Sequence, residues 1–166
     1  MTFQTAQTAT LGYPRIGKNR EVKKALEAFW SNKSDAETLR QTVRDVEFAN
    51  WKTQLEAGID RIGIGNSTLY DGVLDWSIRL GLIPDRFRHL AGLDRYFAMA
   101  RGKDGISALE MTKWFDTNYH YLVPEIETDT KPEANFADFW QRCNEQKTFS
   151  VNEPFQSSSV QLHYCV

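Results

Sequence analysis

The chain has 166 residues, with 20 Lys+Arg against 22 Asp+Glu and a formal net charge of −2. That near-balance excludes general nucleic-acid binding, which needs a strongly basic face, and confines any anion site to a local cluster. At 41% hydrophobic, 25% charged and 13% aromatic, the composition is that of a globular domain with a real core.

In chain order, Thr8–Gly17 starts as a short extended run that Gly12, Pro14 and Gly17 turn into a loop. Val22, Ala25, Leu26 and Phe29 then recur at helical spacing and predict a helix over Arg20–Trp30, with Asn19 as its cap. Ser34-Asp35-Ala36-Glu37 reads as a capping box opening a longer helix. Its apolar positions run Leu39, Val43, Val46, shift phase to Phe48, Trp51 and Leu55, and stop at Gly58. Ile59–Gly65 alternates like a strand and leads into a polar loop, Asn66-Ser67-Thr68. Val73–Leu82 is a predicted helix halted by Pro84, Leu93–Ala100 another, and Gly102–Gly105 a loop. Ser107–Phe115 reads as helix into loop, and Tyr119–Val123 as a strand ended by Pro124. Strands alternating with helices predict an α/β fold with parallel strands. From Lys131 onward periodicity fades, apart from Phe136, Phe139 and Trp140. The end, Ser157–Val166, reads as an edge strand, a disordered end or a truncation scar.

Cys143 and Cys165 make no disulfide framework, and Cys143 and His163 lie too far apart for a zinc-finger spacing. Met1–Thr10 lacks the pattern of a secretory signal, and no apolar stretch approaches the roughly 18 residues of a membrane span. A cytoplasmic protein without a membrane partner is the expectation.

Three places could carry chemistry. Arg15, Lys18, Arg20, Lys23 and Lys24 put five cations in ten residues beside Gly12, Gly17 and a helix amino terminus. Free backbone N–H groups, the helix dipole and these side chains suit carboxylates or phosphates. A solvated basic helix face is the competing reading, and the glycine spacing is neither a Walker loop nor a dinucleotide fingerprint. Glu110–Tyr121 gathers Lys113, Asp116, Asn118, His120 and four aromatics, suited to a cleft that stacks a flat ring. A buried aromatic strand with a satisfied His120 fits the same residues, and His120 has no second metal ligand at helical spacing. Asp71, beside Tyr70, falls where a parallel α/β fold collects ligands, and equally where the next helix needs a cap.

The strings LGYPRIG, REVKKALEAFW, YDGVLD, YFAMARG and EMTKWFDTNYHYLVPE, in this order over about residues 10–126, resemble the amino-terminal domain of the cobalamin-independent methionine synthase family. Members of that family are 5-methyltetrahydropteroyltriglutamate–homocysteine methyltransferases. The resemblance implies two face-to-face (βα)8 barrels. The carboxy-terminal barrel holds zinc through His, Cys and Glu and activates homocysteine as a thiolate that attacks the folate N5 methyl group. The amino-terminal barrel helps bind the folate polyglutamate. Carried onto this sequence, the implied binding residues are Asn19, Arg20, Glu21, Val22, Lys23 and Lys113, with Asn118 as a further candidate.

The expected architecture is therefore an incomplete (βα)8-type barrel over 8–126 with a divergent tail over 127–166, since a complete barrel takes roughly 250 residues. Methyl transfer would lie elsewhere. This chain would hold no cofactor, would bind 5-methyltetrahydropteroyl-polyglutamate, and would be inactive alone unless a separate carboxy-terminal chain supplied the zinc. A free-standing folate-binding or regulatory module and a degenerate remnant without ligand are the alternatives. The family's D-F-x-x-Y-D pattern appears here as Asn66-Ser67-Thr68-Leu69-Tyr70-Asp71 followed by Gly72, which implies the loss of one site-facing carboxylate.

Overall fold

The structure, a computed structural model, describes residues 6–152. It is a mixed α/β arrangement of two compact units: one holds the chain up to Ser67 together with the last described helix, and the other is Thr68–Phe136. The expected reading of Ser157–Val166 lies outside the described residues.

In the first unit, β1 (Ala9–Thr10) pairs in parallel with β2 (Arg61–Ile62), in the register Ala9 to Arg61 and Thr10 to Ile62. The expected parallel pairing is present, but each strand is two residues long, shorter than the alternation over Ile59–Gly65 implied. Thr8 and Asp60 clasp each other beside it. The Thr8 amide donates to Asp60 Oδ2 at 2.7 Å, and the Asp60 amide returns a bond to Thr8 Oγ1 at 3.1 Å.

Helix α1 (Glu21–Trp30) buries Val22 and Leu26 one turn apart and packs on α2 (Ala36–Glu56). Asp35, not Ser34, caps α2, with its side chain accepting the Thr38 amide at 2.7 Å. The predicted capping box is not formed, because Glu37 turns to Arg44 instead. The buried stripe of α2 runs Leu39, Val43, Glu47, Trp51, Gln54 without a phase shift. A reading restricted to apolar residues drifts to Val46 and Phe48 because two positions of the real stripe are polar. Gln54 is satisfied there by Thr10 Oγ1 at 2.6 Å and by the Asn50 carbonyl at 3.1 Å. The helix stops at Gly58 as expected. The Ile59 and Gly58 amides bond back to the Gln54 and Leu55 carbonyls, the paired bonds of a Schellman motif.

In the second unit, α3 (Gly72–Arg79) ends by the same motif at Gly81, ahead of the predicted stop at Pro84. Gly81 has φ 72°, and an added Cβ would lie 2.7 Å from the Glu133 carbonyl oxygen, so both conformation and space call for glycine. Pro84 instead opens a single 3₁₀ turn, Asp85–Phe87, which buries Phe87 completely. Helix α4 (Gly92–Arg101) buries five consecutive residues, Tyr96–Ala100, so its second half is enclosed all round while Gly92, Asp94 and Arg101 stay exposed.

The segment expected to be helical near Ser107–Phe115 contains a strand. β3 (Met111–Lys113) pairs antiparallel with β4 (His120–Leu122), aligning Met111 with Leu122 and Lys113 with His120. A hairpin this short has no room for the helical repeat expected over Ser107–Phe115. The region of faded periodicity also holds a helix, α5 (Ala137–Asn152), which belongs to the first unit. Its Cys143 is buried, and among the described residues no cysteine is free. No described helix is long and apolar enough to cross a membrane.

Candidate functional site

The basic segment Arg15–Lys24 becomes a loop that feeds α1. Arg20 sits at the helix cap in left-handed conformation, φ 63° and ψ 35°, without a side-chain cap bond. Asn19 lies one residue earlier and is not the cap that the sequence led us to expect. The roles are inverted: Glu21, inside the helix, reaches back, and its carboxylate accepts the Asn19 amide at 2.9 Å and Asn19 Nδ2 at 3.1 Å. Its own backbone N–H holds the Glu21 carboxyl below its ordinary pKa; burial opposes this, and Asn19 and the charge of Lys24 add to the lowering. A Cβ on Gly17 would collide with this carboxylate, so the glycine admits the turn.

The five predicted residues of this segment fall into different environments. Asn19, Arg20 and Lys23 are exposed, and Glu21 is half-buried. Val22 is 1% exposed, and its amide donates to the Ile16 carbonyl at 3.1 Å. Lys23 pairs with Glu27 at 3.5 Å on the helix surface. The Arg20 guanidinium has no hydrogen-bond or ion-pair partner among the described residues. What this turn presents to solvent is cationic, although the helix amino terminus itself already holds an internal carboxylate.

The hairpin carries the other two predicted residues. Lys113 ends β3 and Asn118 lies in the connecting turn, both exposed. The Lys113 ammonium likewise has no partner among the described residues. Within the turn, the Trp114 amide donates to the Tyr119 carbonyl at 2.8 Å, and the Thr117 hydroxyl donates to the Trp114 carbonyl at 2.6 Å. Trp114 meets Phe115 and Tyr121 edge-to-face, each with centroids 5.3 Å apart. Phe115 is 81% exposed, His120 is exposed and its ring nitrogen meets the Asn118 carbonyl, so this is no buried aromatic strand.

Asp71 resolves the third candidate as a cap, and as more than a cap. It is 3% exposed, and Oδ2 accepts the Leu74 amide at 3.0 Å at the start of α3. The same oxygen accepts the Leu122 amide of β4 at 3.1 Å, and Oδ1 accepts the Tyr119 hydroxyl. One carboxylate thus joins the start of α3 to both ends of β4. The turn before it is held by Tyr96, whose hydroxyl accepts the Tyr70 amide at 3.0 Å and donates to Asp75 Oδ1 at 2.7 Å. Burial, reinforced by the Asp75 charge, pushes this phenol above its ordinary pKa, so it remains protonated.

Sequence reasoning missed a further cluster. Glu47 is 5% exposed in α2, and burial raises its pKa against the opposing influence of Arg142 and Ser67. Arg142 Nη1 also donates to the Ser67 carbonyl at 3.2 Å, which ties α5 into the first unit. The usable signal was the spacing of Glu47 from Val43 and Trp51 along one helical face. Asn66, one of the departures from the family pattern, spends its Nδ2 on the Leu11 carbonyl at 2.8 Å.

Among the described residues no group of three or more His, Cys, Asp or Glu could hold a metal ion. The donor set therefore does not fit a zinc site, and no chemistry is assigned to a metal on these residues.

Residues 7–155 match the family model described as "Cobalamin-independent synthase, N-terminal domain". Similar curated proteins include a 5-methyltetrahydropteroyltriglutamate–homocysteine methyltransferase of Thermosynechococcus vestitus, 68% identical over 144 residues, or 87% of this chain and 19% of that protein. Enzymes of the same name from Bacillus cereus and Streptomyces coelicolor are 57% and 50% identical over 73% and 75% of this chain, and 16% and 17% of their own lengths. The chain thus spans less than a fifth of the length of these relatives.

Proposed function

The chain belongs to the cobalamin-independent synthase N-terminal domain family, and from that premise we propose that it is a segment of a methionine-forming methyltransferase that binds the acidic tail of the folate substrate. The relatives' name specifies 5-methyltetrahydropteroyltriglutamate, whose tail is a run of carboxylates, as methyl donor and homocysteine as acceptor. The observation that carries the proposal is that Arg20 and Lys113 are exposed cations without side-chain partners among the described residues. An Arg fork grips a carboxylate through two parallel bonds, and a Lys serves as a compact point charge. Lys23, already near Glu27, adds charge more weakly, and Asn118 offers an amide donor on the hairpin turn. Glu21 and Asn19 act by shaping the turn that presents Arg20, and Val22 by anchoring that turn in the core.

On this reading β1 and β2 are the first parallel strands of a (βα)8 barrel, and methyl transfer belongs to a zinc-bearing part of the enzyme. The chain binds and orients substrate, and does not turn it over by itself. Its setting is the cytoplasm.

Calorimetry with the triglutamyl folate and its monoglutamyl counterpart tests the binding. Arg20→Ala and Lys113→Ala are each expected to weaken the triglutamyl ligand by about fivefold, the worth of one exposed charge pair. Equal affinity for both ligands, or variants that bind like the parent chain, would remove the proposal. Methionine formation by the purified chain would overturn its assignment as a binding segment.

A further inference from the structure

We propose that Asp71 is a positioning residue for the ligand-binding hairpin, acting through the Tyr119 hydroxyl and the Leu122 amide, and that this fixes Lys113 and Asn118 for recognition of tail carboxylates. The proposal rests on the folate-tail reading for its ligand, and on geometry for everything else. β3 and β4 contribute three residues each; β3 is exposed throughout, and of β4 only Leu122 is buried, so the hairpin rests on a single large apolar side chain. Two-stranded hairpins of this size are marginal in water without support. Beyond the buried Leu122 side chain, the support here is polar. Oδ2 of Asp71 holds, at 3.1 Å, the amide of Leu122, the residue that pairs with Met111 at one end of the ladder. Oδ1 takes the Tyr119 hydroxyl, one residue before the other end of β4, where Lys113 aligns with His120.

The two attachments lie at opposite ends of β4, so together they restrain its rotation as well as its position. The carboxylate is itself immobile: it is buried, and it caps α3 through the Leu74 amide. Tyr96 holds the preceding turn from α4. Rigid support of this kind decides how well an exposed Lys meets a ligand carboxylate, because a loose hairpin must first lose its own freedom on binding.

The substitutions Tyr119→Phe and Asp71→Asn separate positioning from bulk stability. Tyr119→Phe removes one hydroxyl and leaves the cap of α3 untouched. It is expected to unfold as cooperatively as the parent, to speed amide hydrogen exchange at Trp114 and Leu122 several-fold, and to lower the triglutamyl-to-monoglutamyl affinity ratio by about three- to tenfold. Asp71→Asn keeps an oxygen for the two amides, and its Nδ2 can donate to the Tyr119 hydroxyl, so exchange and ratio should stay near parental values. Lys113→Ala should lower the ratio while leaving exchange unchanged. Unchanged exchange in Tyr119→Phe, or an equal loss for both ligands, overturns the proposal. If the parent chain does not distinguish the two ligands, the folate-tail reading fails by itself. Exchange at Trp114 and Leu122 then still decides whether Asp71 positions the hairpin.

Discussion

The turn that opens α1 and the β3–β4 hairpin both present a cation that is unpartnered among the described residues, but they hold it in different ways. At α1 the organising carboxylate is Glu21, half in solvent, gathering Asn19 from two residues away. At the hairpin it is Asp71, buried and gathering groups from 48 and 51 residues away in sequence. A local clasp in water costs little to make and contributes little to stability, because solvent competes for each donor. A buried carboxylate that satisfies distant donors makes the fold depend on it, since removing it strands amides that water cannot reach. The first arrangement leaves its charge in solvent next to Arg20, and the second keeps its charge buried.

The largest test of this contrast is Asp71→Ala. It removes the cap of α3 and leaves the Leu122 amide unsatisfied, so the unfolding free energy should fall by about 2–4 kcal/mol in a denaturant titration. A loss no greater than that of an ordinary surface substitution would erase the distinction between the two regions.

A second test uses the buried carboxyl of the first unit. Burial raises the folded pKa of Glu47 above its ordinary 4.5. The native state therefore holds this proton more tightly than the unfolded chain. Its contribution to stability is full below pH 4.5 and declines as pH rises through the raised value. In Glu47→Gln that decline should vanish, so the parent's stability relative to the variant falls with rising pH across this window. A difference that is flat with pH would show that Arg142 and Ser67 fully offset the burial.

The smallest expected effect is at Glu21. Glu21→Gln keeps an acceptor for Asn19 and removes a negative charge beside Arg20. Thermal unfolding should stay where it is, while affinity for the triglutamyl ligand rises about two- to fivefold. Weaker binding in this variant would mean that the Glu21 charge orders the turn more than it repels the tail.

Much of the local structure was legible because it depends on residues close in sequence. The amphipathic spacing of Val22 and Leu26, the start of α2 near Asp35 and its stop at Gly58 all follow from side-chain periodicity and backbone preferences. α4 was likewise readable from its apolar run. β4 was readable too, as the strand over Tyr119–Val123, but its partner β3 and the helix α5 were not. β3 is three exposed residues whose strand character exists only through pairing with β4, and α5 has few apolar positions and is tied in by the Arg142 bond to Ser67. The stripe of α2 was misread at Glu47 and Gln54 because a buried polar residue looks like a surface one until its partner is known.

The candidate site divides along the same line. By itself the sequence determined which residues are cationic, which segments carry them and which family they resemble, since charge and motif are properties of residue type and order. Only the tertiary structure decided that Val22 is core, that Glu21 closes its own helix start, and that Asp71 serves the hairpin as well as α3. The role of Asp71 turns on which donors and acceptors, distant along the chain, are brought within 3 Å or so of each other and away from water, and that of Glu21 on the backbone turn that brings Asn19 to it.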